Sequence, residues 1–155
     1  MKIENAGVHF PPPFIYLGGL LAGWLLGRFA FPLPLNRLGG AVLPVGATLV
    51  VLGVALVAWG MLTFRRAHTA IVPHHPASSI VTSGPYRFTR NPMYTGLAIA
   101  YCGAAAVMNS AWPLVLLPLV IALVVRFVID REEAYLASAF GADYSAYRQR
   151  VRRWL

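Results

Sequence analysis

Acid and thiol are what this chain has least of: five of its 155 residues are Asp or Glu, against thirteen Lys and Arg, and one is cysteine. Charged residues make up 12% of the sequence, about half the ~25% usual for a soluble domain, which excludes an ordinary water-facing surface. A lone Cys102 excludes a disulfide framework and a thiolate metal cluster. Placed mid-run among apolar residues, it reads as a small packing group. The chain also shows no internal repeat, no low-complexity tract and no G-x-G-x-x-G. After the first apolar run no small-residue cleavage site follows Phe31, so that run reads as a retained helix and not a signal peptide.

What the chain does have is hydrocarbon. Four apolar stretches, Phe14–Phe31, Ala41–Phe64, Met93–Met108 and Ala111–Ile129, are each close to the ~17–25 residues that cross a bilayer core, the third being short. The expected fold is all-α: one domain over 1–155, a polytopic integral membrane bundle of about four transmembrane helices plus a C-terminal interfacial helix. Arginines cluster after the second stretch (Arg65, Arg66, Arg87, Arg90) and after the fourth (Arg131, Arg148, Arg150, Arg152, Arg153). Only Arg28 and Arg37 flank the first loop. The positive-inside rule then predicts a cytoplasmic central loop and C-terminus, and a short chain of this kind suits a bacterial inner membrane. No soluble domain carries the +8 net charge, so the expected partners are membrane lipids and not nucleic acid.

Small residues mark the helix faces. Gly19, Gly23 and Gly27 repeat every four residues, and Gly46, Gly53 and Gly60 every seven. Such ridges let backbones approach closely. Packing within one bundle is the preferred reading over a dimer seam, because two helices offer such faces.

Chemistry concentrates between Val81 and Gly96, V-T-S-G-P-Y-R-F-T-R-N-P-M-Y-T-G, and at Glu132-Glu133. The long polar segment before it, broken by Pro73, Pro76 and Pro85, exceeds the usual loop length and so points to binding. Asn91 is the expected N-cap of the third helix with Pro92 at its first position. Asn109-Ser110 forms a short turn, so helices three and four are antiparallel and return Glu132 to the Asn91 side. Carboxylates where a spanning helix meets the interface usually have a use. A helix start with Arg90 beside it suits an anion, Glu132 suits a cation, and Tyr86 and Tyr94 offer aromatic faces. A ligand with carboxylate and ammonium, such as the methionine end of S-adenosylmethionine, matches that pairing. The alternative is that Glu132 and Glu133 only pair with nearby arginines at a solvated helix end. His68, His74 and His75 lack metal-ligand spacing and read as solvated or headgroup-facing. In the last segment Asp143 is the expected cap, and Tyr144, Tyr147 and Val151 share one face. That face suits either the headgroup layer or a lid folded over the central loop.

The run S-G-P-Y-R-F-T-R-N-P-M-Y-T-G, the later E-E and then F-G-A-D-Y-S-A-Y resemble the isoprenylcysteine carboxyl methyltransferase family, and more distantly the phospholipid N-methyltransferases. The likeness covers about Ser78 to Val151. It implies an integral membrane S-adenosylmethionine-dependent methyltransferase acting on a lipophilic small molecule or lipid that enters from the bilayer, with the cofactor-binding half at approximately 78–155. The implied cofactor-binding residues are Ser78, Ser79, Ile80, Val81, Tyr86, Asn91, Pro92, Met93, Tyr94 and Glu132. Arg90 and Glu133 are the catalytic candidates. Asn91 stands where the family has histidine, and Val128 where its eukaryotic members have a substrate-contacting arginine. Arg126 and Arg131 flank that position as substrate-binding candidates. Two other readings compete: an NADPH-dependent membrane reductase, and a non-enzymatic scaffold or transport subunit. Cofactor binding separates the first pair, and Glu132→Gln separates enzyme from scaffold.

Overall fold

The computed structural model describes residues 11–36, 39–67 and 80–154, and among them every regular element is helical. Helix α1, Pro12–Phe29, opens with proline in its first turn, where a missing N–H costs nothing. Helix α2 is Val42–Arg66. A 3₁₀ turn, Gly84–Arg87, is entered through Gly84 at φ +58°, a conformation that favours glycine, and is stiffened by Pro85. Helix α3 is Pro92–Val107, and α4 is Trp112–Val124. A π turn, Val125–Ile129, then joins α4 to α5, Asp130–Arg150. The four apolar stretches of the sequence thus correspond to α1, α2, α3 and α4 with its π turn, with ends shifted by one or two residues.

The chain differs from expectation after Ile129. Apolar character stops there, but helical hydrogen bonding does not, and Trp112–Arg150 runs as one 39-residue helical stretch. Arg, Glu, Ala and Leu propagate a helix well in water, so composition marks an environment boundary and not a helix end. The break comes at Gly141 (φ +50°, ψ −113°), two residues before the expected cap Asp143. Beyond it the second half of α5 folds back, bringing Arg153 to within 3.2 Å of Asp130.

Glycine seams align the helices. A Cβ on Gly53 would lie 2.5 Å from the Gly96 carbonyl and the Ala100 nitrogen, and one on Gly46 would meet Gly103 and Ala106. Gly60 faces Met93. Gly19 faces Val120 and Tyr101, and Gly23 faces Pro113. Both ridges therefore pack within the bundle, as the preferred reading had it. These contacts make α1 to α4 alternate in direction. One end gathers Tyr16, Met93, Tyr94 and the start of α5. At the other, the 31–36 segment is tied to the α3–α4 turn by Ala111 N donating to Leu33 O (2.8 Å) and Trp112 Nε1 to Phe31 O (2.8 Å).

Polarity is distributed inside out. All seven tyrosines are buried, while Leu17, Leu21, Val51, Leu52, Val54 and Leu119 are more than half exposed. A water-soluble domain would not show so much exposed aliphatic surface, whereas lipid tails solvate it. Two helices, Val42–Arg66 and Trp112–Arg150, are long and apolar enough to cross a membrane, and only 11% of the apolar window of the first is covered by protein. In such a surround buried phenols need partners. Tyr16 donates to the Tyr94 carbonyl (3.0 Å) and Tyr101 to the Pro113 carbonyl (2.8 Å).

Candidate functional site

The strip before α3 is built by two segments far apart in sequence. Val151 is extended, and the residues after it run beside Thr89–Asn91 as a short strap, with a single parallel bridge between Thr89 and Arg152. Arg90 N donates to Arg152 O (2.9 Å), while Thr89 Oγ1 and Asn91 Nδ2 both donate to Arg153 O (3.0 Å each). Asn91 thus stands at the cap position, but its carboxamide does not cap α3. It holds the strap instead, and the Asn91 backbone N–H is met by Thr89 Oγ1 (3.2 Å). The expected cap position is therefore right, while the side chain is turned so that its Nδ2 meets the distant Arg153 carbonyl and its Oδ1 makes no capping bond.

The second half of α5 covers the strip. Tyr144 and Tyr147 are almost fully buried, and the Tyr147 hydroxyl donates to the Tyr86 carbonyl (2.8 Å). The face weighed for the headgroup layer therefore packs on the protein itself, which is the lid alternative.

The paired glutamates divide. Glu133 receives Arg90 at 3.1 Å and Arg153 at 2.6 Å, with the Glu133 and Arg90 side chains each about nine-tenths buried. Arg90 also donates to the Arg148 carbonyl (3.4 Å). Glu133 and its arginines form a closed clamp between α5, the loop and the strap, and the hydrogen bond to Glu133 raises the Arg153 pKa further above its ordinary value. Glu132, one residue earlier on a half-buried side of the same helix, accepts the Tyr94 hydroxyl at 2.6 Å. No Arg or Lys pairs with it among the described residues. The short bond from Tyr94 stabilises the carboxylate but brings it no positive charge, and burial pushes the Glu132 pKa up to about 7.

Beside it lies an orphan. The Tyr86 hydroxyl is buried with no hydrogen-bond partner among the described residues. Burial pushes its pKa well above the ordinary phenol value, and the nearby Glu132 and Tyr147 push it further. Its ring meets Phe64 edge-on at 5.1 Å, and its oxygen would lie 3.5 Å from a Cβ on Gly60. Arg90 Nε is also buried with no partner among the described residues. Unsatisfied buried donors beside an uncompensated carboxylate call for an occupant with both acceptor and cationic groups.

The expected cofactor-binding residues Val81, Tyr86, Asn91, Pro92 and Tyr94 are buried, and Ile80, Met93 and Glu132 half-buried. Ser78, Ser79 and the three histidines of the central loop lie outside the described residues. Arg90 and Glu133, expected as catalytic, are tied to each other. Arg126 and Arg131 are exposed, on a segment whose Val128 and Ile129 face the core. Sequence reading missed Thr89, Arg153 and Tyr16 as parts of the site. No local pattern marks them, since each acts through a partner twenty or more residues away.

The phospholipid methyltransferase family model matches residues 42–143. The chain is 33% identical over 113 residues to a cobalt-zinc-cadmium resistance protein of Cupriavidus metallidurans, covering 73% of this chain and 50% of that one. It is 32% identical over 114 residues to protein-S-isoprenylcysteine O-methyltransferase B of Arabidopsis thaliana, covering 68% and 55%. To the protein-S-isoprenylcysteine O-methyltransferase of Schizosaccharomyces pombe it is 36% identical over 72 residues, covering 46% and 30%. The chain spans about half the length of the curated relatives it matches. No solved structure matches.

Proposed function

The chain belongs to the phospholipid methyltransferase family, and on that premise we propose that it is an integral membrane S-adenosylmethionine-dependent methyltransferase acting on a lipophilic acceptor. One observation carries the reading: of two adjacent glutamates, Glu133 is neutralised by two arginines, whereas among the described residues Glu132 has the Tyr94 hydroxyl and no cation. A structural pair would show both carboxylates compensated. One left open, next to the unpartnered Tyr86 hydroxyl, suits the α-ammonium and polar groups of S-adenosylmethionine.

The residues present fit that cofactor. Glu132 would hold the ammonium, Tyr94 would orient Glu132, and the Tyr86 hydroxyl and ring would meet polar and cationic parts of the ligand. When bound, the group supplies a methyl on a sulfonium to a nucleophile aligned with it. The chain's part is alignment and exclusion of water. The fold-back of α5 and the strap close the site from the water side, and the aliphatic exterior gives an acceptor access from lipid. With Glu133 neutralised and Glu132 occupied, the described site holds no carboxylate free to act as base. That favours an acceptor already anionic, such as a carboxylate, over an ammonium that must first lose a proton.

The wider reading is one domain over 1–155, four spans formed by α1 to α4, the second half of α5 lying near the interface as a lid, and membrane lipid as neighbour and source of acceptor. The arginine distribution supports a cytoplasmic site end, in a bacterial inner membrane. At 39 residues the Trp112–Arg150 stretch would extend ~58 Å if straight, well beyond a ~30 Å hydrocarbon core. Its charged half therefore belongs outside the core, consistent with the reversal at Gly141.

Calorimetric titration of S-adenosylmethionine into the full chain in nanodiscs, with NADPH in parallel, tests the reading. Saturable binding of the first, lost in Glu132→Gln that remains folded, is the expected result. Folded protein that binds NADPH and not S-adenosylmethionine would overturn it.

A further inference from the structure

The end of the bundle opposite Glu132 holds a second feature that the methyltransferase reading does not use. A cavity of about 280 Å³ is lined by Trp24, Gly27, Arg28, Leu33, Asn109 and Ser110. Its walls are fixed: the Asn36 N–H donates to Asn109 Oδ1 (2.7 Å), and the hydrogen bonds of Ala111 and Trp112 to the 31–36 segment hold the loop over the α3–α4 turn. Asn109 itself takes φ +53°, which turns the chain sharply there.

Three residues with donor groups line this space. Arg28 stands in the last turn of α1, and its only described partner is the neighbouring Phe29 ring, 5.8 Å from the guanidinium. The Ser110 hydroxyl is buried with no hydrogen-bond partner among the described residues. Asn109 has its acceptor oxygen taken, which leaves its Nδ2 donors to offer. Among the described residues no carboxylate competes at this end, since Asp130, Glu132, Glu133 and Asp143 all lie on α5. A cation, an orphan hydroxyl and an amide around a cavity with apolar walls call for an anion carried on an apolar body.

We propose that this cavity binds the phosphate-bearing headgroup of an anionic phospholipid, with Arg28 and Ser110 on the phosphate and the acyl chains running down the exposed Leu21 and Leu25 side of α1. The site is separate from the methyl-transfer end and stands or falls independently of that reading.

Native mass spectrometry of the full chain, released from detergent after titration with phosphatidylglycerol, tests the assignment. Phosphatidylcholine serves as the zwitterionic comparison and inorganic phosphate as the soluble competitor. The expected result is preferential retention of phosphatidylglycerol, reduced at least fivefold in Arg28→Gln and unchanged in Arg66→Gln, whose charge lies at the other end. Ser110→Ala should reduce it without altering charge, and it carries the same readout if Arg28→Gln does not fold. Equal retention of both lipids, or Arg28→Gln binding like the parent, would overturn the site as adventitious lipid. Full displacement of phosphatidylglycerol by phosphate would overturn the lipid as occupant in favour of the free anion.

Discussion

Replacing Glu133 by glutamine and replacing Glu132 by glutamine should have opposite consequences, although the two positions are adjacent and chemically identical. Glu133 compensates Arg90, whose side chain is only 10% exposed, and Arg153, which is 35% exposed. Breaking a buried pair by removing one partner costs about 3–5 kcal/mol. Here Arg153 recovers some solvation and glutamine keeps part of the hydrogen bonding, so about 2–3 kcal/mol is expected. For a chain of this size that lowers the midpoint of thermal unfolding by roughly 5–10 °C. Removing Arg90 as well, in Glu133→Gln/Arg90→Gln, should restore part of the loss. Glu132→Gln removes a charge that no described basic group offsets. Its stability should change by less than about 1 kcal/mol, within the range for substitutions that break no buried pair, while S-adenosylmethionine binding is lost. The assay is thermal unfolding in detergent, followed by tryptophan fluorescence, beside calorimetric titration of the same preparations. If Glu133→Gln melts like the parent yet abolishes activity, Glu133 is a catalytic group and the clamp argument is wrong.

Tyr94→Phe deletes the donor of the 2.6 Å bond that orients Glu132; loss of a charge-assisted bond of about 1.5–3 kcal/mol should weaken cofactor affinity roughly tenfold or more by titration, with the melting point moving much less than in Glu133→Gln. Gly53→Ala puts a Cβ 2.5 Å from backbone atoms of Gly96 and Ala100, which cannot rotate away, so about 1–3 kcal/mol of destabilisation is expected, against none for Gly18→Ala, where nothing lies within 4 Å. Arg153→Ala opens the clamp between strap and α5, and faster hydrogen exchange at Arg90, whose amide bonds the Arg152 carbonyl, should report it; unchanged exchange there would mean the strap is held without that side chain.

How much of this was legible in advance depended on distance along the chain. The α1 to α4 boundaries followed to within one or two residues from apolar run length, and for α3 also from Asn91-Pro92, which are local signals. The glycine ridges were visible as spacings, and their intrachain use was the favoured reading. The α5 fold-back was read less well, because composition records where lipid ends and not where helical hydrogen bonding ends. Arg90 and Glu133 were picked out, and their residue types do suit catalysis. Their pairing with each other and with Arg153 is a matter of geometry between segments about twenty to sixty residues apart.

By itself the sequence determined that the chain is helical and rich in apolar surface, that its candidate site residues gather between Ser78 and Tyr94 and at the glutamate pair, and which family it resembles. Those properties reside in composition, periodicity and contiguous motifs. Only the tertiary structure decided which glutamate is compensated, which hydroxyls are left without partners, that Asn91 binds the C-terminal strap in place of its own helix, and that tyrosines fill the core. Each depends on which distant groups win the competition for a buried charge or hydrogen bond, and that competition is settled by packing.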